Sequence, residues 1–269
     1  MGVQNQTLSQ APEGSLYLAS HRRRKITELV NARGSMRVIE LSKILGVSGV
    51  TVRNDLEQLA HEGLVVRDHG GAIARAYTAL SVAFDQRAQL NLEAKQRIGQ
   101  AAASLVKPGD TIILDSGTTL LELAKRLPHL SPLTIITNSL NVATQVGSLP
   151  DVHVVLAGGS LSTETISTVG PLAERDLGDL LADRLFLGTH SFDLETGLSD
   201  VSLEVARIKR VMISTAKQVI LLADSAKFLT RSMARVAPLS AINYLITDTG
   251  FPVEIVQQLA AQNIEVRRV

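Results

Sequence analysis

The sequence predicts an α/β protein in two parts: an N-terminal winged helix-turn-helix, then a larger domain built on a mostly parallel sheet. Three observations carry that prediction. Residues 39–71 hold two short helical patterns flanking Gly46-Val47-Ser48, followed by a short apolar alternation broken by glycines. Basic side chains gather in the N-terminal part around them, since residues 20–75 contain about ten Lys/Arg against about six Asp/Glu in a chain of net charge +1. From residue 93 onward, β-rich runs alternate with helical patterns, as parallel sheets covered by helices on both faces require.

A length of 269 residues exceeds the usual single domain, and 45% hydrophobic residues suffice for two cores. Cysteine is absent, which excludes disulfides, thiolate metal sites and a cysteine nucleophile, and fits a reducing cytoplasm. No apolar run approaches the roughly 20 residues of a membrane span, and the polar N-terminal stretch lacks the core of a signal peptide. The expectation is a cytoplasmic protein with no membrane partner. The six histidines are dispersed, so no metal site is expected. Neither a dinucleotide fingerprint after a strand nor a phosphate-binding P-loop occurs, and no cofactor is expected.

Residues 1–19 show little periodicity and read as a disordered lead-in. Residues 20–75 read as the winged helix-turn-helix. From His21, Ile26, Leu29 and Val30 fall on one helical face, with Arg22, Arg23 and Arg24 crowding the first turn. Val38, Leu41, Ile44 and Leu45 form the next apolar stripe, which Gly46 ends. Ser48 is placed to cap a third helix whose buried face is Val52, Leu56 and Leu59. Its other face carries Ser48, Thr51, Arg53 and Asn54, the donors and acceptors that read base edges in the major groove of double-stranded DNA. Arg53 and Asn54 are the expected base readers. Leu64 to Arg67 and His69 to Ile73 read as the two strands of the wing, with Arg67 and His69 facing the sugar-phosphate backbone; Arg22, Arg23 and Arg24 are expected to do the same.

Residues 76–92 are weakly patterned and read as a linker with some helix; residues 93–269 form the larger domain. Ligands of parallel α/β sheets sit at the carboxyl ends of the strands. There the chain offers Asp115-Ser116-Gly117-Thr118-Thr119, opening directly into a helix, where free backbone N–H groups and hydroxyls suit an anion, phosphate above all. Further strand ends carry Thr137-Asn138-Ser139, Gly158-Gly159-Ser160, Gly188-Thr189-His190 with Asp193, and Asp224-Ser225 with Lys227. Together they suit a phosphorylated polyol, although each turn alone is commonly only a cap.

These runs resemble a known family. LGVSGVTVRNDLEQLAHEGLVVRDHGGA, PGDTIILDSGTTLLELA, LTIITNSLNVA, LAGG, LFLGTHSFDLETGLS, EVARIKRVMISTA and VILLADSAKF are similar, in order and spacing, to the DeoR family of bacterial transcriptional regulators, over nearly the whole chain from His21. The resemblance implies a winged helix-turn-helix, a sensor domain related in fold to ribose-5-phosphate isomerase, and a homo-oligomer (dimer or tetramer) that represses a carbohydrate-utilisation operon until a phosphorylated sugar effector releases it. LFLGTHSFDLETGLS leans toward the amino-sugar or hexitol branch. It also implies effector contacts at Asp115, Ser116, Gly117, Thr118, Thr119, Asn138, Gly158, Gly159, Glu204, Lys209, Asp224 and Lys227, and gives Asp55 a structural role. His190 departs from the family, many of whose members are acidic there. Two rival readings follow from the same residues: a sugar-phosphate isomerase with a DNA-binding domain, using Asp193, Glu204 or His190 as acid and base, or an activator without a small-molecule effector.

Overall fold

The computed structural model describes residues 19–33, 35–68, 70–74, 82–127 and 132–269. It divides into two compact units at Val82/Ala83. The expected lead-in lies outside the described residues up to position 18, and Ala19 already begins a helix.

In the first unit, α1 (Ala19–Arg33) is followed by β1 (Ser35–Arg37), α2 (Val38–Leu45) and α3 (Gly49–His61). Gly46 ends α2 in the left-handed region, at φ 65°, which a residue without Cβ adopts at no steric cost. Ser48 then caps α3, its Oγ accepting from the Thr51 N–H at 3.1 Å. β2 (Val65–Asp68) and β3 (Gly71–Ala74) form the expected wing, antiparallel with Asp68 opposite Gly71. The structure adds β1, which pairs with β3 so that the order is β1-β3-β2; three residues are too few to show a period in sequence. Ile26, Val30, Val38, Leu41, Leu45, Val52, Leu56 and Leu59 close the core with Met36, Val65 and Ala72. Ile44, expected in that core, is 47% exposed, because Val38, Leu41 and Leu45 already fill the inward stripe and leave it at the edge.

The second unit contains a seven-stranded parallel sheet of β4 (Thr111–Leu114), β5 (Leu133–Thr137), β6 (Val152–Leu156), β9 (Ala182–Leu187), β12 (Ala216–Leu222), β14 (Tyr244–Thr247) and β15 (Glu265–Arg268). The order is β15-β14-β12-β9-β4-β5-β6 and every neighbouring pair is parallel. Alternate residues of the strands enter two separate cores. Ile112, Leu114, Ile135 and Ile220 pack with α5 (Leu92–Ala103), α6 (Thr118–Ala124) and α7 (Leu140–Val146). Ile113, Ile136, Leu185 and Leu221 pack with α8 (Pro171–Gly178), α9 (Leu203–Thr215) and α10 (Val253–Ala260). Burial on both faces is what turns these strands into continuous Ile/Leu/Val runs.

One feature refines an expectation and two were not expected. Within 76–92, read as a linker with some helix, the structure has α4 (Val82–Gln89), which apart from Val82 falls in the second unit, while 76–81 lie outside the described residues. Its helical pattern is weak because little of it is buried; Phe84 is its one described core side chain. A hairpin of β7 (Ser160–Ser162) and β8 (Ser167–Val169) and an antiparallel sheet of β10 (Ser191–Asp193), β11 (Gly197–Asp200) and β13 (Ala234–Ala237) flank the main sheet. These strands are three or four residues long, and all but β13 contain Ser, which reads as turn in sequence.

The chain winds outward from β4 through β5 and β6, then returns to lay β9 on the other side of β4. The loops after β4 and β9 therefore diverge, leaving a crevice between them, the topological switch point where open α/β sheets hold ligands.

Candidate nucleic-acid interface and ligand cavity

On α3, Val52, Asp55, Leu56 and Leu59 face inward, which leaves Arg53 and Asn54 exposed on the opposite face. Ser48 and Thr51 stand at its start with their hydroxyls 2.9 Å apart. Arg24 is exposed and pairs along its own helix with Glu28 at 3.2 Å; Arg67 is exposed on the wing, donating to the Gly71 carbonyl at 3.3 Å. His69 lies outside the described residues.

Arg22 is placed differently from the expectation. Its Nε donates to Asp55 Oδ2 at 2.5 Å and its Nη2 to Oδ1 at 3.1 Å. Asp55 is 6% exposed on the inward face of α3, where a carboxylate needs a cationic partner, and Arg22 supplies it across the helix pair. Arg23 is drawn the same way, 3.5 Å from Glu62 and 3.9 Å from Asp55.

In the second unit, the crevice between the β4 and β9 loops is a cavity of about 240 Å³. Ser116, Gly117, Thr118, Thr119, His190, Lys209, Asp224 and Lys227 of the expected site line it. Arg87, Asn91, Lys95, Glu164 and Asp200 line it as well, and sequence reasoning missed them. Lys95 had a visible signal: it recurs with Ile98 and Ala102 at i, i+3, i+7 on the apolar stripe of α5, where a cation must be buried. Asn91 enters α5 with φ 53° and donates to Asp224 Oδ1 at 3.1 Å, a conformation that no spacing announces.

The lysines play different parts. Lys209 Nζ sits between Asp200 Oδ2 at 2.7 Å, Gly188 O at 3.0 Å and Asp115 Oδ2 at 3.4 Å, so its three donors are used. Burial works against its charge, but the two carboxylates outweigh that and raise its pKa. Asp115 in turn accepts from the Gly188 and Ser116 N–H groups at 3.0 and 2.7 Å, tying the β4 and β9 loops together beneath the cavity. Burial raises the Asp115 pKa against the pull of Lys209.

Lys227 differs. Among the described residues its hydrogen-bond acceptor is Thr189 O, at 2.8 Å, so two of its three ammonium donors are left for a ligand. Burial, with Lys209 and Lys95 nearby, lowers its pKa to about 8 in spite of Asp224. Thr119 Oγ1, in the same cavity, is buried with no partner among the described residues.

Lys95 Nζ donates to Leu90 O at 2.5 Å and to Arg87 O, so the cation closes the C-terminal end of α4. Burial lowers its pKa, opposed by Asp224.

Several expected residues stand away from the cavity. Asn138 is buried, its Nδ2 donating to Thr168 O at 2.9 Å, and it holds β8 against the β5 end. Gly159, at φ 134°, lies so close to β8 and α8 that a Cβ would meet Val169 O at 2.6 Å; Gly158 faces Leu172. Gly159 therefore serves packing, whereas a Cβ at Gly158 would meet only ordinary contacts. Glu204 is exposed in the first turn of α9. Asp193 is held by Thr196, Glu195 N–H and Arg231; burial opposes ionisation, but these bonds prevail and keep its pKa at about 2. It closes the β10–β11 turn, so the proposed acid–base residues are not gathered at one point. Among the described residues no group of three His, Asp or Glu is arranged to hold a metal ion, and no helix is long and apolar enough to cross a membrane.

A helix-turn-helix with a wing, joined in one chain to a parallel α/β unit with a cavity at its switch point, defines a class of DNA-binding regulator that carries a second, cavity-bearing unit. Residues 22–77 match the DeoR-like helix-turn-helix domain and residues 90–249 the DeoR C terminal sensor domain. The chain belongs to the DeoR family of transcriptional regulators. It is 39% identical to the HTH-type transcriptional regulator YulB of Bacillus subtilis, over 94% of this chain and 97% of that one. It is 35% identical to the putative aga operon transcriptional repressor of Escherichia coli O157:H7, over 92% and 93%. It is 31% identical to the glycerol-3-phosphate regulon repressor of Escherichia coli K12, over 92% and 98%. These relatives are named as regulators, not enzymes. Among solved structures, ribose-5-phosphate isomerase A of Methanocaldococcus jannaschii matches with a TM-score of 0.39 and 18% identity, over 52% of this chain and 55% of that one. A match at that level carries no functional information.

Proposed function

We propose that this regulator represses a carbohydrate-utilisation operon and that a phosphorylated sugar, bound in the cavity between the β4 and β9 loops, releases it from its operator. The observation that carries this reading is Lys227: a cation in a small cavity with two donors unspent among the described residues, while Thr119, whose buried hydroxyl has no partner among them, lines the same cavity. A phosphate dianion supplies the acceptors these groups lack. Asp224, Asp200 and His190 line the same cavity and suit the hydroxyls of the sugar. The relatives named for the aga operon and the glycerol-3-phosphate regulon support the same class of target.

On the DNA side, Arg53 and Asn54 read bases, with Ser48, Thr51, Arg23, Arg24 and Arg67 at base edges or phosphates. The protein acts as a homo-oligomer, since paired winged helices read paired half-sites.

Coupling runs through Lys95. This lysine lines the cavity and at the same time closes α4, the helix that directly follows the DNA-binding unit in the chain. An anion in the cavity competes with the α4 carbonyls for its ammonium group. Effector binding therefore favours an arrangement in which α4 is loosened, and a difference in affinity between two arrangements is what allostery requires.

A thermal-shift panel tests the ligand claim. Hexose, hexitol and triose phosphates are each compared with their unphosphorylated counterparts. Stabilisation confined to one or more phosphorylated compounds is expected; equal shifts within every pair, or none, would overturn it.

A further inference from the structure

Val50 stands in the first turn of α3 with 63% of its surface exposed. The inward face of α3 is filled by Val52, Asp55, Leu56 and Leu59, so this exposure is not an unfinished core. Val50, Arg53 and Asn54 are spaced i, i+3, i+4 and share one face, the face that carries the base-reading donors. The other exposed residues of α3, at 53, 54, 57, 58 and 61, are polar or charged. A β-branched side chain in an exposed helical turn adds nothing to helix stability. It does present a stiff apolar surface, because its χ1 is fixed by the helix.

We propose that Val50 is a specificity-determining residue that packs its isopropyl group on the methyl of a thymine, next to the bases read by Arg53 and Asn54. The N-terminal residues of a recognition helix approach base edges. In the major groove, thymine alone among the standard bases displays a methyl group, so an apolar contact there separates it from cytosine without any hydrogen bond. The inference rests on the DNA-binding character of the family and not on the effector reading.

The test uses the full-length protein and a duplex selected by it from a random-sequence pool. Each thymine is replaced singly by deoxyuridine, which removes only the methyl. Wild type is expected to bind about three- to fivefold more weakly when one particular thymine is replaced, the scale of one lost apolar methyl contact. Val50→Ala should bind the thymine and uracil duplexes alike, and Val50→Thr, which keeps one methyl, should retain part of the ratio. Wild-type insensitivity at every thymine overturns the proposal and needs no variant to establish. So does a Val50→Ala protein that keeps the full ratio, or one whose assembly mass changes in light scattering while the ratio stays, which would assign Val50 to contact with a second copy.

Discussion

Arg22 and Asp55 hold α1 to α3 through two hydrogen bonds, at 2.5 and 3.1 Å, across 33 residues of sequence. The aspartate lies in sequence between Arg53 and Asn54, the proposed base readers, and the core residue Leu56, so the pair fixes the orientation of the exposed face of α3. Asp55→Ala should destabilise the first unit by about 1–3 kcal/mol, as expected for losing charge-assisted hydrogen bonds at a part-buried site. Hydrogen exchange read separately over α1, α3 and the second unit checks this. Faster exchange in the two helices with an unchanged second unit is the expected pattern.

Arg53 and Arg24 should part company in DNA binding. Arg53→Ala is expected to lose about 1–3 kcal/mol of specific affinity and to relax one base preference. Arg24→Ala should weaken all sequences alike and lower the salt slope by about 0.9, the value of one phosphate contact. Binding to matched and scrambled duplexes over a salt series distinguishes them; a shared response would merge the two roles.

Much of this was legible beforehand because it rests on local patterns. Ser48 as a cap, Gly46 as a stop, and the Ile/Leu/Val runs of the parallel strands each follow from short-range chemistry, and the structure places them as their sequence suggests. The cavity was only half legible. Thr118, Thr119 and Lys227 are marked by lying just past strand ends. Arg87 reaches the same cavity from α4, a helix too short and too little buried to show a period, and Asn91 through its left-handed backbone, whereas Lys95 was marked by its place on the apolar stripe of α5. Gly159 carries a second reason for being small, since a close backbone approach to Val169 requires a residue without Cβ as surely as a ligand would. Arg22 looked like the rest of its basic cluster; only its two hydrogen bonds to Asp55, a tertiary contact, set it apart.

The lowered pKa of Lys227 gives effector binding a pH dependence with a definite sign. In the free cavity this lysine loses its proton near pH 8, and a bound phosphate raises its pKa by favouring the charged form. Binding is therefore full while the ammonium is protonated and falls as pH rises through about 8, by up to about tenfold per unit. At the acid end the effector loses its second charge near pH 6. Calorimetric titrations should show an optimum between about pH 6 and pH 8. In Lys227→Met the alkaline fall should disappear along with most of the affinity.

Lys95→Met should imitate part of the effector's action. Without the ammonium group, the carbonyls of Arg87 and Leu90 lose their donor and α4 loosens. Exchange of the α4 amides should rise to the level that effector produces in wild type. Operator affinity should fall and respond less to effector. An α4 already indifferent to both the substitution and the effector would remove Lys95 from the coupling route.

The most direct test of the whole account is release of labelled operator, followed by fluorescence anisotropy, as a sugar phosphate identified by the thermal-shift panel is added to wild type and to Lys227→Met. Wild type should release the duplex with the phosphorylated sugar and not with its unphosphorylated counterpart, while Lys227→Met should bind the duplex normally and stay bound. Equal release from both proteins, or tighter binding of wild type on adding the phosphorylated sugar, would contradict it.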